Sequence, residues 1–134
     1  IYFYDADGNI AEFIERPTLG IKRKEGIGSQ GSVATFDVSQ IIKVNEIGVP
    51  VEDTISFSSQ LIKHFDIVLV EPDLISEQFC WIGDYNGVFI ITKIGRAWLP
   101  TQQSAVVNDF EIEFESQGHL YNISFEKNEI KLLS

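Results

Sequence analysis

Ile1-Tyr2-Phe3-Tyr4-Asp5-Ala6-Asp7-Gly8-Asn9-Ile10-Ala11-Glu12-Phe13 opens the chain, and its pattern points to the fold class. Tyr2 to Tyr4 is aromatic and β-prone, Asp5 to Asn9 gathers turn formers with Gly8 free to take positive φ, and Ile10 to Ile14 resumes a β pattern. The stretch reads as strand, tight turn, strand. Alternation places Ile10, Glu12 and Ile14 on one face. A carboxylate between two isoleucines is costly if that face is buried, where it requires a metal, a partner or a proton.

Downstream, Pro17 ends the hairpin, and the glycine-rich stretch from Ile21 to Ser39 has little periodicity and reads as a linker. A strand is expected from Ile41 to Val51, followed by a helix to about Phe65 with capping residues at Glu52-Asp53-Thr54. Its buried stripe is expected from Ile55, Ser58, Ser59, Leu61, Ile62 and Phe65. A short strand at Ile67 to Val70 comes next. A hairpin follows from Phe79 to Gly83 and Val88 to Ile94 around Asp84-Tyr85-Asn86-Gly87. Pro100 to Ser104 reads as a loop. Strands at Phe110 to Glu115, Leu120 to Phe125 and Glu129 to Leu133 complete the chain. The fold class is therefore α+β, and the order from Ile41 to Glu115 is βαβββ.

Composition narrows the function. The 134 residues suffice for one domain with a sizeable core, and 44% hydrophobic content suits a globular chain. A net charge of −10 disfavours nucleic-acid and anionic-membrane surfaces, so neither is expected as a partner. Cys80 is the only cysteine, which rules out an internal disulfide and a multi-thiolate metal site and suits a cytoplasmic location. No run approaches a membrane-spanning length. The mid-hairpin opening and the absence of Met suggest a fragment of a longer protein.

The opening hairpin resembles the closing phrase of a module in the glyoxalase/bleomycin-resistance/extradiol-dioxygenase (vicinal oxygen chelate) superfamily. That phrase runs aromatic-x-Asp-Pro-Asp-Gly-Asn-x-x-Glu. Here it stands as Phe3-Tyr4-Asp5-Ala6-Asp7-Gly8-Asn9-Ile10-Ala11-Glu12, with Ala6 in place of the usual Pro. Val44 to Asp53 is similar to the family's module opening, with Glu46 where a metal-binding His usually stands. The resemblance implies a terminal hairpin of a first, mostly missing module at 1–20, a linker at 21–39 and a second module at 40–134. It further implies a cup that holds a small-molecule ligand or substrate, and a homodimer or pairing with the missing module.

The candidate metal residues are Glu12 and Glu46, and the implied cofactor is a divalent ion: Mn, Ni, Zn, Fe or Mg. The bland alternative for Glu12 is a hairpin carboxylate at a wet rim. Arg96 and Trp98, in Gly95-Arg96-Ala97-Trp98, are candidates for a ligand pocket, Arg96 contacting an anion and Trp98 covering it. Capping of a sheet edge by Trp98 is the alternative. Glu111, Glu113 and Glu115 alternate with Phe110, Ile112 and Phe114 and read as the solvated face of a strand. His64 and His119 are assigned to the surface, and Cys80 reads as an inert core or surface thiol. Two functions stay open: a metal-dependent lyase or dioxygenase acting on vicinal oxygens, and a metal-free binding protein of the bleomycin-resistance kind.

Overall fold

The computed structural model describes residues 2–12, 43–69, 74–99, 101–127 and 129–133. The chain divides into two compact units, 1–36 and 37–134. The fold is α+β with strands dominating. In the first unit, strands β1 (Tyr2–Tyr4) and β2 (Ile10–Glu12) pair antiparallel, Tyr2 opposite Glu12. Asp5 makes the turn between them. Its Oδ1 accepts from the backbone N–H of Asp7 (3.0 Å) and of Asn9 (2.8 Å), and Oδ2 accepts from the Asn9 side chain (2.9 Å). The expected linker at 21–39 lies outside the described residues.

In the second unit, strand β3 (Glu46–Val51) leads into helix α1 (Thr54–Phe65), and strands β4 (Phe79–Asp84) and β5 (Gly87–Lys93) follow as a hairpin. The sheet order is β3-β5-β4, with β3 parallel to β5 and β4 antiparallel to it, which makes a mixed sheet. Asp53 caps the helix by accepting from the Ser56 N–H at 2.9 Å, and Asp66 closes it in the left-handed region at φ 50°. Thr54 ties the helix start to the entry of β4 by donating to the Ser76 carbonyl at 2.7 Å.

The buried helix positions are Thr54, Phe57, Ser58, Leu61 and Phe65. The expected stripe was out of phase at its start: Ile55 is 39% exposed, and Phe57 takes the core position instead. The expected strand at Ile67 to Val70 is also corrected, because Ile67, Val68 and Leu69 join no ladder and Val70 lies outside the described residues. Ile67 and Leu69 do pack on the core while Val68 is exposed, so the alternation is met by burial alone.

Strands β6 (Phe110–Ser116), β7 (His119–Glu126) and β8 (Glu129–Leu132) form a second, antiparallel sheet in the order β6-β7-β8. Gln117 (φ 50°) and Gly118 (φ 77°) make the two-residue turn from β6 to β7. This sheet closes the core through edge-to-face ring pairs: Phe57 with Phe125 at 5.5 Å, Phe65 with Phe114 at 5.4 Å, and Phe89 with Phe114 at 5.2 Å. β6 therefore ladders with β7 rather than beside β3 or β4, so the expected four strands after 41 are split between two sheets. No helix among the described residues is long and apolar enough to cross a membrane.

Candidate functional site

Side chains of one strand alternate between faces, and laddered partners share a face. Ile47, Val49 and Val51 of β3 face the core with Phe89 and Ile91 of β5 and with Cys80 and Ile82 of β4. The other face of the same sheet therefore carries Glu46, Gly48 and Pro50, then Val88, Ile90 and Thr92, then Phe79 and Trp81. Residues 95–99 and 101–105 form a small hairpin over this outward face. Gly95 N–H donates to the Ala105 carbonyl, Ala105 N–H to Arg96, and Trp98 N–H to Gln103, each at 2.8 Å.

Arg96 and Trp98 lie two residues apart on that hairpin. The Trp98 indole lies against Gly48 so closely that a Cβ there would stand 2.7 Å from Cη2. Only glycine leaves room for the ring. The Arg96 guanidinium carbon sits 5.2 Å from the ring centroid of Phe79, a cation–π distance. Phe79 is opposite Thr92, which is opposite Pro50, so Arg96 stands near the rung beside that of Trp98. Trp98 thus lies over Gly48 of β3, an outer strand of the sheet in the order β3-β5-β4.

Of the expected site residues, Arg96 and Trp98 lie over the outward face of this sheet, at Phe79 and Gly48, while Glu46 at the start of β3 also lines the cleft described below. Glu46 is half-buried at the start of β3, opposite Val88. Glu12 belongs to the other unit, where it is exposed at the end of β2. In the same hairpin, the hydrogen bonds from the Asn9 side chain and backbone hold the Asp5 carboxyl below its ordinary value, which suits a turn former. Among the described residues, no group of three or more His, Cys, Asp or Glu side chains converges for a metal ion. His64 is exposed near the helix end with Nδ1 2.9 Å from the Gln60 carbonyl, and His119 is exposed at the start of β7. The Cys80 thiol is fully buried and lies 3.2 Å from the Ser76 carbonyl.

A second feature escaped the sequence reading. A cleft of about 840 Å³ runs between the start of β3, the β4–β5 turn and β6. Glu111, Glu113 and Glu115 line it, with Glu46 and Asp84 across from them and Ile47, Phe89, Ile112 and Phe114 between. The alternation of β6 was legible in the sequence. The gap beside it was not, because it depends on where the second sheet docks.

No family model matches this chain, and no curated protein matches it.

Proposed function

We propose that this chain is a small-molecule-binding protein built on a module of the glyoxalase/bleomycin-resistance/extradiol-dioxygenase kind, its ligand held on the outward face of the β3-β5-β4 sheet. The observation that carries the reading is Trp98 laid on Gly48, on the face that also bears Glu46, with Arg96 beside it. The strand-helix-strand-strand order with parallel β3 and β5 agrees with the first four elements of a βαβββ module. The Asp5-Ala6-Asp7-Gly8-Asn9 turn leading to Glu12 agrees with the module's closing phrase. An indole wall, a guanidinium and a carboxylate around an apolar floor suit a small, flat, oxygen-bearing molecule with negative charge.

The metal-dependent reading rests on Glu12. In that form Glu12 supplies a hard carboxylate oxygen, which suits Mg or Mn better than Zn, Ni or Fe. A bound ion would supply Lewis-acid polarisation of vicinal oxygens.

Tryptophan emission tests both readings, since Trp81 and Trp98 are the only two tryptophans. Titration with benzoate, a small flat carboxylate, in EDTA should shift the emission of wild type but not of Trp98→Phe. Titration with catechol should do so only with added Mn if the metal-dependent form operates, and Glu12→Gln should abolish any Mn-dependent rise in melting temperature. A chain whose Trp98 emission responds to neither probe, with or without Mn, lacks this site.

A further inference from the structure

We infer that the open edge of β6 is a docking site for an extended basic segment of a partner protein, which adds to the second sheet as a further strand. The inference starts from the β6–β7 turn. A two-residue turn with positive φ at Gln117 and Gly118 makes Ser116 and His119 a hydrogen-bonded pair. Bonded and non-bonded pairs then alternate away from it, so Phe114–Tyr121, Ile112–Ile123 and Phe110–Phe125 exchange the ladder bonds. Glu111, Glu113 and Glu115 therefore turn their N–H and C=O groups to the other edge. The opposite strand agrees: the Asn122 carbonyl, across from Glu113, points away from β6 and accepts from Leu133 N–H at 2.8 Å.

Among the described residues β6 is laddered to β7 alone, and the cleft of about 840 Å³ follows its outer edge. Exposed backbone groups of this kind accept an added strand. The same three residues decide which strand. In an added antiparallel strand, residues directly opposite Glu111, Glu113 and Glu115 would put their side chains beside the three carboxylates, so Lys or Arg is favoured there. The residues between would face the side of Ile112 and Phe114, where apolar side chains belong. Among the described residues lining the cleft none is Lys, Arg or His, so basic groups on the occupant would complement it. Val44 (78% exposed) and Val68 (59% exposed) add apolar surface to the cleft wall. The partner is thus a strand alternating basic and apolar residues.

A fluorescein-labelled peptide alternating Lys and Val over the length of β6, titrated with the full chain and read by anisotropy, tests the inference. Saturable binding is expected, weakening with salt. Three controls separate strand addition from plain charge attraction. The triple variant Glu111→Gln, Glu113→Gln, Glu115→Gln should bind on the order of tenfold more weakly, since all three opposed charge pairs are lost. The same peptide N-methylated at alternate residues, on the edge that faces β6, should lose binding while its charge is unchanged. Amide exchange at Glu111, Glu113 and Glu115 should slow in the complex. Equal binding of the N-methylated peptide, equal binding by the triple variant, or no binding of the parent peptide at low salt would overturn the proposal. Because the glutamates are exposed, the triple variant should keep the wild-type melting temperature, and loss of fold would show directly in that measurement.

Discussion

The two sheets of the second unit share a core but are built to opposite patterns. In β5, Val88, Phe89, Ile91 and Thr92 are all buried, so that strand is covered on both faces. In β6, half-buried Phe110, Ile112 and Phe114 alternate with exposed Glu111, Glu113 and Glu115, so one face packs and the other meets water. The difference separates two ways of presenting a surface. The first sheet has a face covered by Trp98 and Arg96, and the second has a polar face and, among the described residues, an edge of β6 that joins no further strand.

The comparison breaks first at the shared core. Phe125 is 1% exposed and packs edge-on against Phe57 of the helix. Phe125→Ala should destabilise the chain by about 3–5 kcal/mol through the cavity it leaves, read from urea unfolding. If the two sheets share one core, far-ultraviolet and tryptophan signals shift together. Separate transitions would show that the β6-β7-β8 sheet folds independently of the first. A smaller effect is expected at the covered face. Gly48→Ala places a methyl 2.7 Å from the Trp98 ring, so the indole and its hairpin must move, at about 1–2 kcal/mol. Tryptophan emission should shift to the red, and adding Trp98→Ala should make the pair cost less than the sum of the two. Additive costs would mean that Trp98 does not rest on Gly48.

The smallest effect belongs to the polar face of the second sheet. Ser124 is 1% exposed, with its Oγ unpartnered among the described residues. Ser124→Ala removes a buried hydroxyl that gains no hydrogen bond, so stability should be unchanged or rise by up to ~1 kcal/mol. A loss above that would reveal a partner for the hydroxyl. The neighbouring Lys131–Glu126 pair, at 2.7 Å, is exposed on both sides and is not expected to alter that result.

Much of this was legible from local pattern. Asn86-Gly87 marked the β4–β5 turn as a turn-forming pair, and the hairpin formed where expected, with the Asp84 carboxylate accepting from the Asn86 N–H at 2.7 Å and the Gly87 N–H at 3.3 Å. Asp53 marked the helix start because its carboxylate caps a free N–H. The candidate site was half legible. Arg96 and Trp98 were flagged by composition, but nothing local indicates that the ring lands on Gly48, about fifty residues earlier in the chain. Phe57 was missed for a related reason: helical spacing gives a stripe, and which stripe is buried is set by the surfaces the helix meets. Ile67 to Leu69 has the alternation of a strand but lacks a laddered neighbour.

What the sequence alone determined is the local grammar: turns at Asp5 to Asn9, Asp84 to Gly87 and Gln117-Gly118, the helix limits, and the two-faced character of β6. Each follows from backbone freedom, capping or alternation within a few residues. The tertiary structure alone decided that β3 runs parallel beside β5 with β4 outside it, that β6 joins β7 and β8 in a separate sheet, and that Arg96 and Trp98 lie over the outward face of the first sheet. Those outcomes rest on pairings between distant segments, chosen by which apolar faces bury one another best, and no short window of sequence contains both members of such a pair.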